Sequence, residues 1–288
     1  KNFPAGSEEE AAIELSGFDV ILLMRERSSF REAMLTRLPR LKMISATGAK
    51  TPHIDEAYCT ENGIVISQST ASVAGYAAEM TLALMLSAAR KVPMAGKFQD
   101  GVGLGTVLRG RTLGVIGLGK IGKDIALYGK ALGMRVIAWS QNLTDERANE
   151  VGAERVEKDQ LLSQSDVVTL HLVLSERSKG ILGAKELGLM KDGAILVNTS
   201  RGPLVDEKAL LDALRTKRIV AALDVYDEEP LPADHPIRSV PNTVLSPHLG
   251  FSTQEVFRDF YQGAIDNIVA FLDGAPTRVT NPDVLKRS

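Results

Sequence analysis

Three ionisable residues each stand just beyond a short apolar run. Arg201 follows Ala194–Thr199, Glu229 follows Ala221–Val225, and His248 follows Thr243–Ser246. The local strings are Ser200-Arg201-Gly202, Tyr226-Asp227-Glu228-Glu229-Pro230 and Pro247-His248-Leu249-Gly250. These residue types suit hydride transfer to a carbonyl that sits beside a carboxylate. An Arg fork holds the carboxylate bidentately and polarises the carbonyl. A His protonates the developing alkoxide. A carboxylate against the imidazole orients it and favours its charged form. Each residue alone has an ordinary reading: a surface ion pair, a solvated acidic turn, a structural histidine. Their arrival at one sheet edge is what points to chemistry.

The same edge carries a glycine loop. The run Leu113–Ile116 leads into Gly117-Leu118-Gly119-Lys120-Ile121-Gly122, and a helical pattern over Lys120–Leu132 follows. A strand before and a helix after is the context that gives this pattern meaning. Gly117 permits the tight turn, Gly119 lets the backbone approach a pyrophosphate, and Gly122 lets helix and strand pack closely. The helix start, with Lys120 and Ile121, offers unpaired N–H groups to the anion. A second glycine string, Gly101 to Gly105, has no strand before it and is set aside. About 20 residues past the loop, an acid ordinarily holds the adenosine ribose of NAD. Here Arg135–Trp139 ends in Ser140-Gln141-Asn142. Ser140 can bond a ribose hydroxyl or accommodate a 2′-phosphate, and Arg147 is the nearest base that follows it. NAD is the expected cofactor, with NADP left open.

Positioning such residues takes a parallel sheet. Further apolar runs lie at Asp19–Met24, Leu41–Ala46, Ile64–Gln68, Thr112–Ile116 and Val167–Leu172. Most lack polar alternation, as in strands covered on both faces. Helical patterns such as Asp206–Thr216 separate them, so the spacing predicts an α/β chain with a Rossmann-type doubly wound parallel sheet and right-handed crossovers. Two long helical patterns stand apart, Ser72–Val92 and Ser252–Gly274. The second starts at Ser252/Thr253 with Glu255 behind and stops at Gly274 and Pro276. The glycine-rich stretch 96–110 reads as a linker or surface loop. The expected division is 1–92 for the first part of a substrate domain, 93–265 for a dinucleotide-binding domain, and 266–288 for a return to the first.

Composition narrows the classes. The chain has 288 residues, 44% hydrophobic and 24% charged, an ordinary globular mixture. Thirty-four basic against 36 acidic residues leave a net charge of -2, which argues against a nucleic-acid partner. Cys59 is the single cysteine, so no intrachain disulfide or cysteine zinc cluster forms, and a reducing, cytoplasmic setting is expected. No apolar stretch approaches the ~20 residues of a membrane span. The sequence names no partner for His53 or His235, and His171 reads as a partly buried strand residue near the cofactor with no catalytic role. No metal site is expected, because no ligands are spaced for one.

The sequence resembles the D-isomer-specific 2-hydroxyacid dehydrogenases over nearly its whole length. The resemblance rests on Leu113–Gly122 (LGVIGLGKIG), Asn198–Asp206 (NTSRGPLVD), Ala222–Pro230 (ALDVYDEEP) and Ser246–Gly250 (SPHLG). It implies reversible hydride transfer between nicotinamide and a small D-2-hydroxy acid or 2-keto acid, with Arg201, Glu229 and His248 catalytic. Glu229 rather than Glu228 matches, because it directly precedes the proline. The resemblance also implies a smaller flavodoxin-like α/β substrate domain, two long helices joining it to the inserted nucleotide domain, closure over substrate, and a homodimer. It places Gly48 and Ala49 in a loop that, with Arg201, meets the substrate carboxylate. Thr199 and Asp224 fall near the nicotinamide and its ribose. Arg25 stands where some relatives read the distal end of the substrate, against a plainer reading as surface charge. The family's first strand is expected to be absent or truncated at Lys1, and no regulatory domain is expected after Ser288. Two other readings remain: a dinucleotide-sensing binding protein of the corepressor type, and a phosphite- or formate-type dehydrogenase. A short-chain dehydrogenase is excluded, because none of the five tyrosines has Lys four positions on.

Overall fold

The computed structural model describes residues 8–24, 28–48, 51–69, 74–92, 104–216 and 218–286. Two compact units emerge, one of 1–72 with 252–288 and one of 73–251. These divisions differ from the expected ones at 92 and 265. Periodicity marks a helix but not the sheet on which it lies. The Ala74–Arg90 helix packs on strands of the larger unit, and the Gln254–Leu272 helix packs on the sheet of the smaller one. No helix among the described residues is long and apolar enough to cross a membrane.

In the smaller unit, β1 (Val20–Met24), β2 (Met43–Thr47) and β3 (Val65–Ser69) form a parallel sheet in that order. One face is aliphatic, with Ile21, Leu23, Ile44 and Ile66 packed on Phe30 and Leu35. The other carries the buried hydroxyls of Ser45, Thr47, Ser67 and Ser69. Small side chains there let the Gln254–Leu272 helix approach closely. Ser45 donates to the Ala264 carbonyl at 3.1 Å and Ser69 to that of Phe260 at 2.9 Å. A Cβ at Gly263 would stand 2.8 Å from Ser69 Cβ.

In the larger unit a seven-stranded parallel sheet comprises β4 (Thr112–Ile116), β5 (Arg135–Trp139), β6 (Glu154–Arg155), β7 (Val167–Leu170), β8 (Ile195–Asn198), β9 (Val220–Leu223) and β10 (Thr243–Leu245). Their order is β10-β9-β8-β7-β4-β5-β6. Val115, Val167 and Val197 bury on one face, while Ile116, Val168 and Leu196 bury on the other. Both faces are therefore covered, as the unalternated runs require. The helix read at Asp206–Thr216 is Glu207–Arg215, with Asp206 as N-cap accepting the Ala209 N–H at 2.7 Å. β6 escaped the sequence reading. It is two exposed polar residues, so it has no apolar run to reveal it. Strand order reverses between β4 and β7, and in such sheets ligands bind beyond the carboxyl ends at the reversal.

Candidate active site

Gly117 leaves β4 at φ 97°, and its N–H donates to the Trp139 carbonyl at 2.8 Å. A Cβ there would stand 2.5 Å from the His171 carbonyl oxygen at the end of β7. One at Gly122 would stand 2.0 Å from the Gly117 carbonyl. Both positions are closed to side chains because the loop folds onto its own helix. Gly119 differs. It is the N-cap of the Lys120–Ala131 helix, no side chain caps that end, and a Cβ would meet nothing within 4 Å. Uncapped N–H groups beside an open cradle fit a dinucleotide pyrophosphate. Lys120 is exposed, whereas Ile121 packs on the core and has its backbone N–H to offer. Ser140 follows β5 half-buried, and its carbonyl accepts from Leu143 N–H at 3.0 Å.

The end of β8 is held by a residue not singled out earlier. Asn198 is 1% exposed. Its Nδ2 donates to the Arg201 carbonyl at 2.9 Å, and its Oδ1 accepts from Ser200 N–H at 3.0 Å. Ser200 Oγ donates to the Leu172 carbonyl at 2.7 Å. Gly202 then presses on the next loop, since a Cβ would lie 2.1 Å from the Tyr226 carbonyl carbon. The Arg201 side chain remains exposed, with Nη1 donating to the Ser200 carbonyl at 2.6 Å. Asn198 stands inside the NTSRG string, but an Asn closing an apolar run does not by itself reveal these bonds.

Thr199 Oγ1 lies 2.7 Å from Thr81 Oγ1. Thr81 also donates to the Ala77 carbonyl at 2.8 Å. A hydroxyl has one proton, so Thr199 is the donor of the pair and keeps acceptor lone pairs for anything else. Asp224 follows β9 and is 1% exposed. Its Oδ1 accepts from Leu249 N–H and its Oδ2 from Gly250 N–H, both at 2.8 Å.

Glu229 and His248 meet directly. His248 Nδ1 lies 2.5 Å from Glu229 Oε2. The other carboxylate oxygen accepts from Tyr226 N–H at 2.9 Å. Burial opposes the Glu229 charge, but the His248 contact, the Tyr226 N–H and the nearby Arg201 together hold the carboxyl below its ordinary range. Tyr226 Oη donates to the Ser246 carbonyl at 3.0 Å, tying the two loops together. His248 has φ 56°, and its ring meets Phe251 edge-on at 6.0 Å. The structure thus brings Arg201, Glu229 and His248 to one edge with the glycine loop.

Gly48 follows β2 at φ 116°, its N–H donating to the Ser69 carbonyl at 2.9 Å. Arg25 and Ala49 lie outside the described residues. Burial pushes the His171 imidazole down to about 3, so it is neutral. His235, for which the sequence named no partner, has Nε2 3.3 Å from Glu207 Oε1. Among the described residues no group of His, Cys, Asp or Glu is placed to hold a metal ion.

Comparison with known proteins adds identity to this geometry. Residues 80–250 match the family model described as D-isomer specific 2-hydroxyacid dehydrogenase, NAD binding domain. A glyoxylate reductase of Aeropyrum pernix is 39% identical over 268 residues, 88% of this chain and 80% of that protein. A D-3-phosphoglycerate dehydrogenase of Archaeoglobus fulgidus is 36% identical over 94% of this chain, which spans only 53% of that protein. The crystal structure of a phosphoglycerate oxidoreductase from Vibrio cholerae O395 superposes with a TM-score of 0.86 at 35% identity, covering 96% of this chain and 90% of that one.

Proposed function

The chain belongs to the D-isomer-specific 2-hydroxyacid dehydrogenase family, and from that premise we propose that it interconverts a small 2-keto acid and its D-2-hydroxy acid using Arg201, Glu229 and His248. The observation that carries the proposal is the 2.5 Å contact between His248 and Glu229 on the edge that holds the glycine loop. The cofactor is NAD, which when bound supplies or accepts the hydride. Gly119, Lys120, Ile121 and Gly122 would hold its pyrophosphate through backbone N–H groups, and Ser140 would meet its ribose. Thr199 would accept a hydrogen bond from the nicotinamide side.

The protein's own part is charge and proton handling. Arg201 offers the guanidinium N–H groups not directed at Ser200 to a substrate carboxylate, in the planar fork that matches it. Glu229 is ionised and can only accept, so Nδ1 of His248 carries the proton between them. Nε2 is then the working atom. In the charged form it donates to the substrate oxygen during reduction, and in the neutral form it takes that proton back during oxidation. Gly48, with Ala49 and Arg25, is kept as a candidate for substrate binding on the resemblance alone. A homodimer and a cytoplasmic setting belong to the same proposal. Burial, then Asp55 and Glu56, push the Cys59 thiol up to about 12, which suits a thiol that stays reduced.

Initial rates of NADH and NADPH oxidation against glyoxylate, hydroxypyruvate, pyruvate and phosphohydroxypyruvate test the reading. Turnover with NADH and at least one keto acid is expected. Tight dinucleotide binding without turnover on any of them would overturn it.

A further inference from the structure

We propose that Asp224 is a positioning residue for His248: its carboxylate holds the backbone of the following turn in a left-handed conformation that sets the imidazole against Glu229. The proposal rests on the reading above for what His248 does, and on geometry for how it is held. Among the described residues only Lys91, His248 and Arg278 have positive φ without being glycine. A Cβ disfavours that region, so something outside the residue must maintain it.

Asp224 is placed to do so. It stands one step beyond β9, nearly fully buried at 1% exposure. Its two oxygens take the N–H groups of the two residues that follow His248, each at 2.8 Å. Successive N–H groups converging on one anion form a nest, which fixes the local backbone. The fit is tight, because a Cβ at Gly250 would lie 3.0 Å from Asp224 Oδ2. The side chain of Leu249 does not anchor the turn, since it is 43% exposed. Two residues along the same loop, Tyr226 N–H fixes Glu229 at 2.9 Å. Both members of the proton-handling pair are therefore referenced to the end of one strand. A cofactor-contacting role for Asp224, expected from the resemblance, does not account for both oxygens being given to this turn.

The test uses the free protein first. The His248–Glu229 contact is short enough to give a low-field Nδ1 proton resonance, assigned by its absence in His248→Asn. Asp224→Asn keeps the shape but sets an NH2 group against one of the two backbone donors. Gly250→Ala disturbs the clamp from the other side without removing a buried charge. Asp224→Asn is expected to abolish or shift that resonance and to lower kcat about five- to thirtyfold, with the Kd for NADH unchanged. Gly250→Ala is expected to act in the same direction with a smaller loss, and it decides the matter if Asp224→Asn does not fold. An unchanged resonance in both variants overturns the proposal, whether or not kcat falls. A raised Kd for NADH with the resonance intact would make Asp224 a cofactor ligand instead. The resonance needs neither substrate nor cofactor, so failure of the keto-acid reading would leave this arm intact.

Discussion

The two edges of the seven-stranded sheet are built from similar residue types and treated in opposite ways. At the amino edge, Asp166 Oδ2 accepts the Thr112 N–H at 2.8 Å, and Oδ1 meets Lys191 Nζ at 3.2 Å and Arg111 Nη1 at 3.5 Å. Arg218 donates to the Gly188 and Met190 carbonyls at 2.8 and 2.7 Å. Charge there is absorbed by the fold. At the carboxyl edge the Gly119 helix start is uncapped and His248 sits at positive φ. Unsatisfied donors and a disfavoured backbone cost stability, so they persist where a ligand or a reaction uses them. The difference teaches that an ion pair on this sheet is informative only together with its edge.

Substitutions separate the edges by what they change. His248→Ala carries the largest effect. It should lower kcat by about 10²–10⁴-fold, the range for loss of a general acid–base group, with the Kd for NADH unaffected. Near-normal turnover would remove the functional meaning of the carboxyl edge. Arg201→Lys keeps the charge but loses the fork, so kcat/KM for the keto acid should fall about ten- to hundredfold. Steady-state kinetics would read that loss chiefly in KM. Equal kcat/KM for the two proteins would mean that Arg201 is only a surface cation.

At the amino edge the expected change is in stability, with catalysis untouched. Asp166→Ala leaves the Thr112 N–H unpaired and should cost about 1–3 kcal/mol at pH 7, read by denaturant unfolding, with kcat unchanged. Burial opposes the Asp166 charge, but the Thr112 N–H, Lys191 and Arg111 hold its carboxyl below the ordinary value. A depressed folded pKa stabilises above the unfolded value, which for Asp is about 4. The gap between wild type and variant should therefore be full at neutral pH and close as pH falls below that value. A gap independent of pH would show that packing rather than charge is lost.

The legibility of these features follows the range of the forces behind them. The strand-ending Arg201, Glu229 and His248 were readable because an apolar run, a turn and an ionisable residue are adjacent in the chain. The glycine loop was readable for the same reason, since turn, anion approach and helix start fall within six residues. Asn198 and Thr81 were not singled out. Each acts through hydrogen bonds whose meaning depends on where the chain returns, and an Asn at a strand end or a lone Thr in an apolar helix carries no such address. The contacts of the Ala74–Arg90 helix with the strands of the larger unit were not legible for a related reason: an apolar helix face states that it will be buried, but not against which sheet.

The sequence by itself determined the α/β class, the strands that end at Arg201, Glu229 and His248, the glycine loop and the family. Those rest on local patterns, in which propensity, periodicity and residue type agree within a few positions. Only the tertiary structure decided that Asp224 gives both oxygens to the Leu249 and Gly250 N–H groups and that His248 is held at φ 56°. It also decided that Thr199 donates its proton to Thr81. The physical reason is that directional bonds between strand ends distant in sequence set the orientation of these side chains, and no window of the sequence contains both partners.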